Sequence, residues 1–211
     1  FTINKETVTI TYTGDTMVWT AGPTISSAPV RLSASLTQES DGYPGDLTLA
    51  KVRFVLVPVG GGASITVPNV VVNSLGEALT TVNVPVGNWF ITVTIETANQ
   101  YWTQSEAGMG TLTVDSGAGS RMVTGGGWIP DAQSANGKGN FGFTVNYQKK
   151  ANPKGNFMYL FRGTDGYNYL IKSNSWQDGG LSFTSTNTAF FTGRCTIQKI
   201  NRATGLVEAS W

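Results

Sequence analysis

The side chains able to do chemistry in this 211-residue chain are thirteen Asp and Glu, fourteen Lys and Arg, and one Cys; there is no His. Without imidazole every His-dependent triad is excluded, together with the commonest transition-metal ligand. Glycoside chemistry needs two acids held about 5 to 10 Å apart across a cleft, and the acids here fall mostly in turn-like stretches. Asp41 and Asp46, in Glu39-Ser40-Asp41-Gly42-Tyr43-Pro44-Gly45-Asp46, offer oxygens close in sequence, as calcium loops do. Their spacing matches no EF-hand, and a plain turn explains them more simply. Gly60-Gly61-Gly62 lacks the Lys and Ser/Thr of a phosphate loop and reads as a strand connection. Cys195 has no second cysteine to pair with, and its parity with Phe191 and Ile197 predicts a thiol buried in a core. An intermolecular bridge and a reactive thiol are the alternatives. No catalytic, metal or cofactor site is expected.

Aromatic residues make up 11% of the chain, and two groups of them carry the chemistry of a binding face: Tyr101 with Trp102, and Tyr167 and Tyr169 with Trp176. Tyr167 and Tyr169 alternate on one strand face, with Asn168 and Leu170 on the other. Such rings either stack on sugars or fill a core or an interface between domains. Tyr101-Trp102, placed in a loop between predicted strands, is the harder pair to bury. Lys149, Lys150 and Lys154 form the densest basic patch, but no recognition motif accompanies it, so a solvated hairpin is the simpler reading and nucleic acid is not an expected partner. At the other end, Phe1 and Ile3 point one way in an extended chain while Val8, Ile10 and Tyr12 need the opposite register. The break at Lys5-Glu6 is either a β-bulge or the root of an arm. In the second case Phe1, Ile3 and Lys5 add a strand to a neighbour's open sheet edge.

The elements that must position these residues fall into two modules. Residues 1–120 carry four basic side chains against nine acidic ones, net −5, whereas residues 121–211 carry ten against four, net +6. At the junction, Ser116-Gly117-Ala118-Gly119-Ser120 and Gly125-Gly126-Gly127 read as a flexible connection. The expected organisation is therefore a first domain over 1–116, a Gly/Ser-rich linker over 117–127 and a second domain over 122–211. Opposite charges at the two ends favour head-to-tail contact, within the chain or between copies, screened by salt beyond roughly 10 Å. Charged residues are 13% of the chain, about half the usual roughly 25%. A surface of Thr, Ser, Asn and Gly suits an extracellular protein, secreted or at the cell surface. No apolar run approaches the ~20 residues of a membrane helix, so direct membrane insertion is not expected, and Phe1 in place of Met fits a processed or excised piece.

Short segments rich in Val, Ile, Thr and aromatics, alternating with period two and punctuated by Gly, Pro, Asn and Asp, predict an all-β fold. Strands are expected at 7–13, 30–38, 52–59, 64–72, 77–84, 88–96 and 108–114. Seven strands in this length is the count of an immunoglobulin-like sandwich. The successions Val8-Thr9-Ile10-Thr11-Tyr12-Thr13-Gly14-Asp15, Pro29-Val30-Arg31-Leu32-Ser33-Ala34-Ser35-Leu36-Thr37, Val52-Arg53-Phe54-Val55-Leu56 and Asn73-Ser74-Leu75-Gly76-Glu77-Ala78, with Tyr101 and Gly110-Thr111-Leu112-Thr113-Val114, resemble bacterial Ig-like repeat domains. Val123-Thr124-Gly125-Gly126-Gly127-Trp128-Ile129 and Gly137-Lys138-Gly139-Asn140-Phe141-Gly142-Phe143 are similar to a β-rich module at the C-terminal side of large secreted bacterial proteins. The resemblance implies an Ig-like β-sandwich followed by a second antiparallel, sandwich-like β domain. It also implies at least one further strand past Trp211, either cut away or supplied by another chain. The expected function is structural and non-enzymatic: a cell-surface or filament-forming module assembling head to tail. Its expected partners are copies of itself or neighbouring domains of its parent protein. Carbohydrate binding and adhesion, with polysaccharide as partner, is the alternative.

Overall fold

Alternating apolar and polar residues dictate most of the strands. The computed structural model describes residues 5–40, 42, 44–96, 101–117, 122–147, 153–185 and 188–211. Among them the fold is all-β, three sheets with no helix apart from one 3-10 turn at Leu47–Leu49. The first part contributes β1 (Glu6–Tyr12), β2 (Met17–Trp19), β3 (Ser27–Gln38), β4 (Lys51–Pro58), β5 (Ile65–Val71), β6 (Glu77–Pro85), β7 (Gly87–Ile95), β8 (Trp102–Glu106) and β9 (Gly108–Asp115). One sheet has the order β6-β3-β1-β8 and the other β2-β9-β7-β4-β5. All seven expected strands are present; β2 and β8 are additional, and each pairs in parallel with a distant strand, β2 with β9 and β8 with β1.

The two sheets face each other across one core. Val8, Ile10, Val30, Leu32, Leu36, Val52, Phe54, Leu56, Ile91, Val93 and Leu112 interdigitate there, every second residue of each strand pointing inward. Trp102 joins this core at 2% exposure, its ring lying 2.8 Å from where a side chain on Gly45 would begin. Expected in a loop, it instead opens β8, whose parallel pairing with β1 turns the indole inward; it cannot face a glycan. Asp46 is an N-cap, its carboxylate accepting hydrogen bonds from the Thr48 amide and hydroxyl at 2.9 and 2.6 Å, while Asp41 lies outside the described residues.

The rest of the chain forms a third sheet, antiparallel and in sequence order: β10 (Met122–Pro130), β11 (Lys138–Tyr147), β12 (Pro153–Arg162), β13 (Tyr167–Ser185), β14 (Thr188–Asn201) and β15 (Val207–Ser210). Asx chemistry closes the hairpins at one end: Asp131 accepts from the Gln133 amide at 2.9 Å, and Asn201 from the Ala203 and Thr204 amides at 2.9 and 3.1 Å. Gly125-Gly126-Gly127, expected in the linker, are strand. β10 crosses the back of the second sheet so closely that a Cβ on Gly126 would stand 2.7 Å from the Thr16 carbonyl oxygen, so absence of side chains here permits contact rather than flexibility.

The third sheet covers the outer face of the second. Thr111 and Thr113, on the face of β9 turned away from the first core, are fully buried. Their hydroxyls donate across the gap to the carbonyls of Phe141 and Gly125 at 3.3 and 3.2 Å. Phe90 from β7 enters a second core with Met158, Leu160, Leu170 and Ile200. Glu106 anchors the corner through Arg162 and, at 3.8 Å, Arg202, and the Ala107 amide donates to the Arg202 carbonyl at 2.6 Å. Part of the charge asymmetry between the two halves is thus consumed inside the chain.

Candidate interaction surfaces of the third sheet

β12 reads Asn156-Phe157-Met158-Tyr159-Leu160-Phe161, and its alternation splits that run between two apolar faces. Met158 and Leu160 point inward to Phe90 and are buried. Phe157, Tyr159 and Phe161 point outward and stay half-exposed. Cross-strand register places Phe143 opposite Phe157, Phe141 opposite Tyr159, and Tyr169 opposite Phe161. The outward face of the third sheet is therefore aromatic across three strands.

Two clusters divide that face. In the first, Phe191 packs with Phe143, Phe157 and Trp176 at ring centroid separations of 5.4, 5.9 and 5.5 Å. Phe143 and Phe191 belong to strands separated by two others, about 14 Å apart in a flat sheet. Their contact means the distal half of the β13–β14 hairpin bends back over the face, and the pairing register shifts where it does so, between Ser173 and Ser175 and between Trp176 and Leu181. The Trp176 indole nitrogen donates to the Gly155 carbonyl at 2.9 Å. Leu181 is buried, while Phe183 and Phe190 nearer the hairpin tip remain exposed.

The second cluster is open. Phe161 lies 5.2 Å from Tyr169 with planes 16° apart, and Tyr159 lies 6.1 Å from Phe161 at 33°. Each tyrosine is tied to a turn acid: the Tyr159 hydroxyl donates to Asp131 at 2.6 Å and the Tyr169 hydroxyl to Asp165 at 2.7 Å. Those hydrogen bonds hold both carboxyls below the usual carboxylate range. Partial desolvation, then the Asp131 bond, pushes the Tyr159 phenol up to about 12. Lys199 sits 3.3 Å from Asp165 and 3.8 Å from the centre of the Tyr167 ring; burial works against its charge, yet Asp165 and the tyrosines raise its pKa. Both acids stay anionic, both phenols and the ammonium stay protonated across the neutral range, and no group is poised to exchange a proton there.

Of the residues singled out from the sequence, Tyr167 and Tyr169 stand together on this strip, whereas Trp176 belongs to the other cluster. Tyr101 is 38% exposed and meets the Trp102 ring edge-on at 5.3 Å on the first sheet, away from the third-sheet strip. Lys5 is exposed just before β1, and Lys154 is exposed in β12. Phe1, Ile3, Lys149 and Lys150 lie outside the described residues. Cys195, expected in a core, is exposed, because the face it shares with Ile197 is the outward one. Tyr159, Phe161, Phe157, Asp131, Asp165 and Lys199 escaped the sequence reading, and Phe191 entered it only as an expected core neighbour of Cys195. The unbroken apolar run in β12 is their signal, since a strand covered on one face alternates and one apolar on both does not.

β15 leaves one edge of the third sheet without a partner strand among the described residues. Trp211 extends its pairing by exchanging bonds with Ile197 at 3.0 and 3.1 Å. The β5 edge is guarded: Pro68 lacks an amide hydrogen, Asn69 takes φ 59°, and a bulge interrupts its pairing with β4. In comparison with known proteins, no family model and no curated protein matches the chain.

Proposed function

We propose that this chain is a non-enzymatic extracellular structural module, acting at a cell surface or within a filament. The outward face of its third sheet docks on another copy or on a neighbouring domain of its parent protein. The observation that carries this reading is the open strip of Tyr159, Phe161 and Tyr169 with Ile171 and Ile197 beside it: contiguous apolar surface held in place by buttressed phenols. Soluble domains rarely leave such a patch without a use. Aromatic anchors ringed by polar groups also make up the energetic centres of protein interfaces. The β15 edge, unpaired among the described residues, offers a place for strand addition in the same assembly, and head-to-tail contact of unlike surfaces yields open filaments when the rotation closes no ring. The motif likeness to bacterial Ig-like repeats and to secreted β-rich modules points the same way, toward surface proteins.

Ring geometry favours protein docking over sugar stacking. Rings 5.2 Å apart and nearly parallel overlap in offset stacking, so they cannot lie side by side as the flat platform a saccharide needs. Light scattering after size exclusion, with negative-stain microscopy, tests the proposal at low and high salt. Concentration-dependent assembly abolished by the double variant Tyr169→Lys with Ile197→Lys is the expected result. A wild-type chain that stays monomeric at every concentration and salt sinks docking on another copy, and polysaccharide retention in affinity electrophoresis that Tyr169→Ala removes sinks the protein-docking reading as a whole.

A further inference from the structure

Between the second and third sheets lies a cleft that the docking surface does not use. The sheets touch along β9 and β7 and diverge toward β4, leaving a cavity of about 460 Å³, within the roughly 300–1,000 Å³ of small-molecule sites. Phe90 and Leu170, at 8% and 3% exposure, are its deepest residues. Val55, Val57, Val59 and Thr92 line the wall from the second sheet. Leu206 and Val207 line the other wall and are, with Val57, the exposed apolar residues at the mouth, at 67%, 49% and 41%. The loop carrying Leu206 is held against the second sheet by close approach: a Cβ on Gly205 would stand 2.6 Å from the Thr92 methyl. The cleft is thus a built feature of how the layers meet.

One charge enters it. Lys172, half-buried on the inward face of β13, lines the cavity, and none of the residues lining it is acidic. Lys172 has no ion-pair or hydrogen-bond partner among the described residues, and neither does the Gln198 side chain beside it. Arg53, on the same outward face of β4, is neutralised by Glu96 at 2.9 Å. An apolar trough with one uncompensated cation and one free amide selects an apolar molecule ending in an anion: the tail removes Phe90, Leu170 and Val57 from water, and the head accepts from Lys172.

We infer that this inter-sheet cleft binds a small anionic amphiphile, an acyl-chain carboxylate, with its head group on Lys172 and its chain along Val55, Val57, Phe90 and Leu170. Amide-shift titrations of the full chain with decanoate, decanol and decyltrimethylammonium test this. Saturable shifts at Val55, Val57, Thr92 and Lys172 are expected, with decanoate about tenfold tighter than the ammonium of equal chain length. Lys172→Met is expected to erase that preference while decanol binding persists, and Thr92→Trp to fill the cavity and abolish shifts for all three. Absence of saturable shifts at these amides overturns the inference, as does equal affinity for anion and cation in the wild type. A Val57→Arg variant whose assembly mass falls below the wild type's also overturns it, since the occupant would then be a second copy.

Discussion

Replacing Phe90 by Ala tests whether the third sheet is part of the sandwich's folding unit. Phe90 is the residue that the second sheet sends into the core of Met158, Leu160, Leu170 and Ile200, and it is 8% exposed. Truncating a buried Phe costs about 3 to 5 kcal/mol, the transfer free energy of the ring plus the void it leaves. One flank of this ring already faces the 460 Å³ cleft, where partner atoms are missing. The lower end applies: about 3 kcal/mol, or about 6 to 12 °C in a chain of this length. Differential scanning calorimetry reads both the shift and the number of transitions. One transition displaced by that amount is expected, because the two layers share the core around Phe90 and the buried Thr111 and Thr113 hydroxyls bond to third-sheet carbonyls, so parting them exposes that apolar surface to water. Two resolved transitions with only one displaced, or a loss below about 1 kcal/mol, would refute the shared core. Leu79→Ala, at an exposed site on β6, is the control and should change stability by less than about 0.5 kcal/mol.

Other perturbations follow from the charged contacts. Glu106→Gln leaves Arg162 and Arg202 facing each other without the carboxylate between them and should lower the urea midpoint by about 1 to 2 kcal/mol equivalent, less at high salt. The Glu96 carboxyl is raised by burial but more strongly lowered by bonds from Arg53 and the Asn69 amide, leaving it below the usual range. Its stabilisation is therefore complete above the ordinary carboxylate value of about 4.3 and lost as pH falls through the lowered folded value; urea midpoints measured from about pH 5 to about pH 3 should fall more steeply for wild type than for Glu96→Gln. The Tyr159 phenol should ionise near 12 in the ultraviolet difference between wild type and Tyr159→Phe. Asp131→Asn should move that ionisation toward the ordinary value of about 10. A raised phenol pKa means its contribution is present below about pH 10 and lost as pH climbs through the folded value.

The sandwich strands were legible because a strand between a core and water alternates, and β3 from Ala28 to Leu36 and β4 from Val52 to Leu56 bury every inward residue. β2 and β8 were not, since three and five residues carry too little pattern and their parallel partners lie far away in sequence. The glycine run misled for a physical reason: Gly is favoured both where a chain must move freely and where two backbones must touch, and composition does not separate the two. What separates them is the neighbour, and the Thr16 carbonyl that Gly126 meets is more than a hundred residues away.

Period-two alternation also leaves open which face acquires a layer. In β9, Thr111 and Thr113 alternate with Leu112 and Val114 as though one face met water, yet all four are fully buried. Hydroxyls can be buried where carbonyls of another sheet accept from them, so the third layer was hidden behind residues that look solvent-facing. β14 errs in the opposite direction, for Phe191, Cys195 and Ile197 share a parity that suggests a core, and Cys195 is exposed. The difference lies in β12: Met158 and Leu160 fill the inward side, and among the described residues no fourth sheet lies over Phe157, Tyr159 and Phe161. The distal hairpin covers the first of these through Phe191 and stops short of the other two. Apolar surface placed by the same strand that builds a core sits at register positions as fixed as the core's own, and its remaining exposure is the area that the proposed partner would bury.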